Sequence, residues 1–266
     1  MKMEQVEFIP TLNEYVTKHH ENPEPHIKSL VDDFCEFPKA EDLSELQIEF
    51  RNQRTILHLG FRGRIDDIII FNRYAIAQYN HNAKEIAPQF DEYDKEYGGM
   101  FTLLLAEQDE SKLLHARMAF KNFDWYCEIL NARTIANEGL IIHLWATIEQ
   151  YVKKAILVMN KTLTDLPFKW PALVELSKLT GLDLERLSSY DLIDEIRVVN
   201  NKIKHLYTVD SQLCKYKGFS EHKGKKMSMV NYRVHEYAIG AHHFMNRLIS
   251  SMGPTIRYEH NLEELA

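Results

Sequence analysis

Apolar residues recur every three or four positions over two long stretches of the chain that contain few helix-breaking residues. Residues 41–85 include no proline, and their only glycines are Gly60 and Gly63. Residues 110–159 also lack proline and contain one glycine, Gly139. This spacing is the period of an amphipathic helix. We predict one long helix, or two hinged at Gly60–Gly63, over the first stretch. A break at Gly139 is expected in the second, because it far exceeds an average helix of about 11–12 residues.

The rest of the chain predicts shorter helices joined by loops. Pro88 with the pair Gly98-Gly99 indicates a connector between the two long stretches, and the proline-containing residues 21–40 and the lysine-rich residues 210–228 indicate loops. A Gly253-Pro254 pair is expected to stop the last helix. The shorter helices are predicted over residues 10–20, 172–179, 183–188, 190–207 and 230–251.

Composition agrees with a helical protein. The chain has only 10 glycines and 8 prolines in 266 residues, whereas a many-stranded sandwich or barrel needs a turn about every 8–12 residues. Hydrophobic residues make up 45% and charged residues 27%, which is ordinary for a globular protein. The predicted fold class is therefore an all-α helical bundle.

Several functional classes are disfavoured by what the sequence lacks. Cys35, Cys127 and Cys214 form no CxxC pair, so neither a disulfide framework nor a zinc site is predicted. Glycine-rich phosphate loops are absent, and no Glu-x-x-His pair of a di-iron bundle occurs in the two long stretches. No metal and no cofactor are predicted. Without a secretory signal or an apolar run of about 18 residues, we expect a soluble, cytoplasmic protein with no membrane partner.

The helix predicted over residues 190–207 has one apolar and one polar face. Ser188 is expected to cap it, with Asp191 three residues later. At about 100° per residue, one stripe forms the predicted core face: Leu192, Ile196, Val199, Ile203 and Leu206. Arg197, Asn201 and His205 lie on the opposite side. These three could place a cation, an amide and a general base around one phosphodiester. Equally, they could be the solvated face that any amphipathic helix has.

A local excess of positive charge surrounds this polar face. The whole chain carries a net charge of −7, so it is not a polycation. Residues 197–226 nevertheless hold eight basic residues against Asp210 and Glu221. A patch of this kind attracts a phosphate backbone, although a solvated lysine-rich loop has the same composition. The eight basic residues are Arg197, Lys202, Lys204, Lys215, Lys217, Lys223, Lys225 and Lys226.

An upstream helix is predicted to pack beside this one. Its core stripe consists of Ile141, Trp145, Ile148, Val152, Ile156 and Met159. Such a wide apolar face is typical of a central, well-buried helix. Glu149 lies at the edge of the stripe, where it is expected to form a plain ion pair, to pair with Lys202, Lys204 or Arg197, or to orient His205.

Two segments resemble the HEPN superfamily, the "higher eukaryotes and prokaryotes nucleotide-binding" domains. The string Glu195-Ile-Arg-Val-Val-Asn-Asn-Lys-Ile-Lys-His205 resembles the signature helix of the family. The segment from Leu140 to Ala155, Leu-Ile-Ile-His-Leu-Trp-Ala-Thr-Ile-Glu-Gln-Tyr-Val-Lys-Lys-Ala, looks like its first long helix. The resemblance covers about residues 140–250. It implies an all-α bundle of four or five helices, commonly dimeric, and many members are metal-independent ribonucleases of toxin–antitoxin and phage-defence systems.

The resemblance also implies roles for individual residues. His205 matches the family's histidine, as general acid or base, and Asn201 matches the polar residue four positions earlier. Asn200 stands where the family's arginine most often lies, and Arg197 is the nearest arginine, with one more residue between it and His205 than the pattern allows. Either Arg197 stabilises the phosphorane charge from one turn back, or cleavage has been lost. Asn201 or Asn200 would then hold the phosphate, and Lys202 and Lys204 would bind the substrate.

Two hypotheses follow. The first is a metal-independent endoribonuclease of a toxin or phage-defence system, with RNA as substrate and possible pairing with a cognate antitoxin or defence partner. The second is a catalytically inactive module that uses the same face to dimerise or to bind a protein or nucleotide. Both predict a homodimer with Arg197, Asn201 and His205 near the two-fold axis. The predicted organisation is a helical extension over residues 1–135, a HEPN-like bundle over 136–252 and a tail over 253–266.

Overall fold

The protein is an all-α helical bundle, as the sequence predicts. The computed structural model describes residues 6–21, 43–97 and 110–254. No β-strand occurs within these ranges, which contain only one isolated antiparallel bridge, between Thr208 and Lys226. The Gly98-Gly99 connector and the tail after residue 254 lie outside them. So does the predicted loop over residues 21–40, except for Glu21, which ends the first helix. The helices are α1 (Leu12–Glu21), α2 (Glu45–Tyr97), α3 (Glu110–Met159), α4 (Trp170–Leu179), α5 (Tyr190–His205) and α6 (Val234–Ser250).

The first two helices begin with reciprocal hydrogen bonds that the local sequence encodes. The Thr11 hydroxyl accepts from the Glu14 amide at 3.1 Å, while the Glu14 carboxylate accepts from the Thr11 amide at 2.9 Å. Ser44 and Gln47 repeat the arrangement before α2, at 3.3 and 3.0 Å. Each pair satisfies two backbone donors that a helix start would otherwise leave without partners.

Helix α2 is continuous, so the first long stretch forms one helix and not two helices hinged at Gly60–Gly63. The predicted connector at Pro88 is wrong. Pro88 lies inside the helix. Gly60 does not act as a hinge, because α3 packs closely against it. A Cβ built there would lie 2.6 Å from the Tyr151 hydroxyl oxygen. At Gly60, packing against α3 therefore outweighs the local cost of about 1 kcal/mol for a glycine in a helix.

Helix α3 is also unbroken, so the predicted break at Gly139 is wrong. Leu140, Ile141 and Leu144 directly after this glycine are all buried in the core. The helix is held in place by these contacts rather than by local propensity. The boundary predicted between residues 135 and 136 lies within this continuous helix.

The shorter elements differ from prediction mainly at their ends. Residues 183–188 form only a single 3₁₀ turn, Leu184–Arg186. The N-cap residue of α5 is Ser189 rather than Ser188, and its side chain makes no capping hydrogen bond. Helix α5 ends at His205, and Tyr207 reverses the chain with a left-handed φ of 50°. Its amide donates to the Lys202 carbonyl at 2.7 Å, which closes the helix end.

One hydrophobic core joins the N-terminal and C-terminal parts of the described chain. Leu12 of α1, Phe61 of α2, Ile148 of α3, Val199 of α5 and Phe244 of α6 belong to the same buried cluster. The long helices α2 and α3 pack along each other, and α5 and α6 pack against α3. This arrangement exposes the outer side of the end of α5, where Asn201, Lys204 and His205 lie.

None of the described helices combines the length and apolarity that crossing a membrane would require.

Candidate functional site

The last turns of α5 present three of the predicted residues to solvent. Asn201, Lys204 and His205 are exposed. The buried face of the helix is rotated from the prediction, because Ile193 and Asn200 are buried beside the expected Ile196 and Val199. Leu206, which the apolar stripe placed in the core, is 63% exposed, since the helix has ended before it. The predicted polar face therefore exists only in its C-terminal part.

Arg197 is engaged in an ion pair instead of pointing towards His205. Its Nε and Nη2 atoms lie 2.8 and 2.7 Å from Oδ1 of Asp194, one turn earlier. The other oxygen of Asp194 accepts from the Tyr216 hydroxyl at 3.2 Å, so the connector after α5 covers the pair. Burial, with the Asp194 carboxylate nearby, raises the pKa of Tyr216 to about 12 and keeps it a donor. Arg197 is thus part of the attachment of the connector.

Asn200, at the position of the family's arginine, faces the interior. It is 2% exposed, and its amide nitrogen lies 3.3 Å from the side-chain oxygen of Asn201. Its own Oδ1 is buried and accepts no hydrogen bond within the described ranges. A side chain in this position does not reach a phosphate on the outer surface of α5.

The two lysines of the last turn have different roles. Lys202 is only 13% exposed and pairs with Asp210 at 2.5 Å. This hydrogen bond is the main reason that the pKa of Asp210 is lowered. Lys204 is exposed. Only Lys204 is therefore available to a ligand.

Of the three roles predicted for Glu149, the structure shows the plain ion pair. Its carboxylate lies 2.5 Å from the ammonium group of Lys153, one turn along α3. Arg197 and Lys202 are paired elsewhere, with Asp194 and Asp210. This pairing makes Glu149 part of the surface of α3.

The connector after α5 is anchored to the bundle. Leu213, Phe219 and Met227 are almost completely buried, and the Val209 amide donates to the Lys225 carbonyl at 3.0 Å. Residues 224–227 consequently lie beside the chain that leaves α5. This brings several lysines to the C-terminal end of the helix.

Five exposed lysines form what we call the basic patch. Lys204 lies on the last turn of α5, Lys225 and Lys226 lie beside the chain that leaves this helix, and the other two lie elsewhere on the anchored connector. None of the five forms an ion pair in the part of the chain that the structure describes, whereas the two acids of residues 197–226 are engaged with Lys202 and His222. The patch consists of Lys204, Lys215, Lys223, Lys225 and Lys226.

A buried carboxylate that the sequence analysis did not single out ties α5 to α6. Glu195 is 4% exposed. Both of its oxygens lie 2.6 Å from one terminal nitrogen of Arg233, and the Tyr237 hydroxyl donates to it at 2.7 Å. Burial, and then this carboxylate, raise the pKa of Tyr237. The place of Glu195 beside the apolar Ile196 was the only indication that it is buried.

A second buried carboxylate fixes the turn after α5. Glu138 of α3 accepts hydrogen bonds from Tyr207 at 2.9 Å and Tyr232 at 3.0 Å. Burial is the main cause, and Glu138 a further one, of a raised pKa for both tyrosines. The left-handed Tyr207 is thereby held in place, which orients the chain that carries the basic patch.

A group of histidines lies between α1, α2 and α6. His242 is 4% exposed, and its Nε2 is 3.1 Å from the Asn246 amide nitrogen. The His58 ring lies 6.3 Å away and the His243 ring 6.0 Å, centre to centre. Burial lowers the pKa of His242 to about 3, with neighbouring positive charges adding to the effect. The group is not a metal centre: no cluster of three or more His, Cys, Asp or Glu side chains with metal-binding geometry exists among the described residues.

Comparison with family models, with curated proteins and with solved structures finds no match to this chain.

Proposed function

We propose that this protein is a HEPN-like helical module that binds the phosphate backbone of RNA through the basic patch and does not cleave it. The observation that carries the proposal is the set of five exposed lysines, without described acidic partners, on the last turn of α5 and on the connector that follows it. Exposed ammonium groups in such a cluster attract phosphates and gain affinity by releasing counterions. Asn201 and His205 lie beside them as hydrogen-bonding groups.

We propose that the protein does not cleave RNA because neither residue at the positions expected to stabilise transition-state charge is available. Arg197 is bound to Asp194, and using it would break this pair and its contact with the connector. Asn200 is buried. A catalytic cation has to lie within hydrogen-bond distance of the developing charge. This favours the second hypothesis, the catalytically inactive module, with RNA as the ligand that we propose for it.

Binding is tested by fluorescence anisotropy of labelled single-stranded RNA over a range of salt concentrations. The variant Lys225→Glu/Lys226→Glu should weaken binding at least tenfold and flatten the dependence of affinity on salt. The matched control is Lys84→Glu, which reverses the charge of an exposed lysine on α2 and should change the affinity less than twofold. No measurable RNA binding by the wild type at low salt, or equal losses in both variants, would refute the proposal.

The ribonuclease remains the second candidate, because His205 is exposed one turn after Asn201 and next to Lys204. A toxin or phage-defence role, with a cognate partner protein, depends on this activity. Incubation of RNA with the wild type in EDTA should yield no products. Cleavage that persists in EDTA and disappears in His205→Ala would establish the enzyme instead, and Asn200→Arg tests whether an arginine at that position is what is missing.

A further inference from the structure

Helix α2 carries a stripe of large apolar side chains that nothing in the described structure covers. Their exposed fractions are 63% for Ile56, 61% for Leu59, 43% for Ile70, 72% for Phe71 and 74% for Tyr74. We call these five residues the α2 stripe. Scattered exposed apolar residues are normal on a protein surface, but these form two clusters on one helix face, at Ile56 and Leu59 and at Ile70 to Tyr74, which is typical of an interaction site.

The α2 stripe is a single face of the helix. At 100° per residue, Ile56, Leu59, Ile70 and Tyr74 fall within about 60° of one another, and Phe71 lies at the edge of the group. The core residues of α2, such as Ile65, lie on the other side. The centre of the face is Gly63, where a Cβ would have no atom within 4 Å. A partner helix can therefore approach the backbone closely there.

The size of the α2 stripe suits a symmetric contact. If each of the five side chains contributes on the order of 100 Å² of apolar surface, one copy offers roughly 500 Å². A standard protein interface buries about 800 Å² per partner. The flanking polar residues of α2 would supply the remainder as a rim.

We propose that the α2 stripe is a homodimer interface in which the α2 helices of two copies pack antiparallel, with the two-fold axis at the level of Ile65. In this arrangement Ile56 meets Tyr74 of the partner subunit, and Leu59 meets the partner's Ile70. Phe71 lies at the edge of the contact, near the partner's Gly60 and the tip of the Tyr151 side chain that packs against this glycine. Apolar residues thus meet apolar residues at both ends of the contact, and Gly63 and Asp67 of the two copies lie between these ends.

Charge complementarity selects the antiparallel orientation and a second copy as the occupant. Arg64 and Asp67 are both exposed, on the same flank of the helix, and neither forms an ion pair among the described residues. Antiparallel packing about Ile65 places Arg64 beside the partner's Asp67 twice. A parallel pair would instead bring the two Asp67 carboxylates together, which is unfavourable.

This interface differs from the one that the resemblance predicts, on α5. The exposed end of α5 belongs to the basic patch, and two copies facing each other there would bring like charges together. The α2 stripe offers apolar surface on a different helix. A dimer through α2 leaves the basic patch of each copy open to RNA, and it does not depend on the RNA proposal.

The first test is the mass of the full chain by light scattering and sedimentation equilibrium over the micromolar range. The wild type should be dimeric, and Tyr74→Glu should raise the dimer dissociation constant at least tenfold. The matched control is Phe168→Glu, which places the same charge at a side chain that is 95% exposed away from α2 and should leave the dimer intact. Circular dichroism confirms that both variants are folded.

The second test uses the charges. Arg64→Asp and Asp67→Arg should each weaken the dimer, and the double variant should restore it to near the wild-type affinity. A wild type that is monomeric throughout overturns the proposal. A dimer that survives Tyr74→Glu but is lost in Lys204→Glu places the contact on α5 and overturns it as well. Failure of the double variant to restore the dimer overturns the antiparallel arrangement.

Discussion

The two halves of α5 differ in what their charged side chains do. In the first half, Glu195 is bound by Arg233, the residue that precedes α6, and Arg197 is bound by Asp194 under the connector. In the last turn, Lys204 and His205 face solvent. The same helix thus uses its first half to hold the bundle together and its end to present a surface. Charged side chains on a helix face therefore indicate a function only once their ion-pair and hydrogen-bond partners are known.

The largest effect should come from breaking the buried pair of the first half. Glu195→Ala removes the buried partner of Arg233 and of the Tyr237 hydroxyl, so that Arg233 keeps only its pair with the half-exposed Glu236 among the described residues. A loss of about 3–5 kcal/mol in the free energy of unfolding is expected, measured by urea denaturation. Asp191→Asn, at an exposed position of the same helix, should stay within about 0.5 kcal/mol. Equal effects in the two variants would contradict the structural role of Glu195.

A second variant tests the close approach of α5 and α6. A Cβ at Gly240 would lie 2.2 Å from a methyl carbon of Leu192, so Gly240→Ala forces the helices or this side chain to move. We expect a loss of about 3 kcal/mol, the upper end of the range for overpacking. Gly139→Ala is the control, since a Cβ there meets nothing within 4 Å. It should stabilise α3 by about 0.5–1 kcal/mol. A neutral Gly240→Ala would refute the tight contact.

The third prediction contrasts a buried histidine with the exposed His205. Folding lowers the pKa of His242 from 6.5 to about 3, so the unfolded chain binds the proton more readily. The stabilisation is therefore complete above pH 6.5 and is lost progressively as the pH falls towards 3. At pH 5 the loss amounts to about 2 kcal/mol.

Urea unfolding at pH 7 and pH 5 measures this loss. His242→Gln should remove most of the difference, while His205→Ala should retain it. His58 has a lowered pKa for the same main reason, burial, and adds to the slope. Arg62, His243 and Tyr15 surround the group. An unchanged slope in His242→Gln would show that other groups cause it.

The smallest effects separate the two lysines of the last turn. Lys204→Ala should change the free energy of unfolding by less than about 0.5 kcal/mol. Lys202→Ala loses the pair with Asp210 and should cost about 1 kcal/mol, at the upper end for a salt bridge near the surface. RNA affinity should respond in the opposite order, with Lys204→Ala the weaker binder. Urea denaturation measures the free energies of unfolding, and the fluorescence anisotropy titrations measure the RNA affinities.

The helices themselves were predictable, and their continuity was not. Apolar spacing identified all six described helices because each has a face in the core. Gly60, Pro88 and Gly139 suggested interruptions that the structure does not have. The local cost of such residues is read from sequence, but the packing of α2 against α3 that outweighs it joins residues far apart in the chain.

The candidate site was predictable to a similar degree. Helical projection placed Asn201 and His205 on an outer face, and both are exposed. It could not show that Arg197 is paired or that Asn200 is buried. A helical projection gives only the direction in which each side chain leaves its own helix. The connector that covers Arg197 and the interior that encloses Asn200 come from other parts of the fold.

The core that α2 shares with α6 has a consequence for how the chain is made. The apolar face of α2, with Phe61 and Ile69, is covered in part by α6. At usual translation rates of about 5–20 residues per second, roughly ten seconds or more separate the synthesis of these two helices. During that interval the ribosome carries a nascent helix whose inner surface has only part of its final cover. Chaperones that bind apolar segments of nascent chains therefore have a defined target and a defined time in which to act.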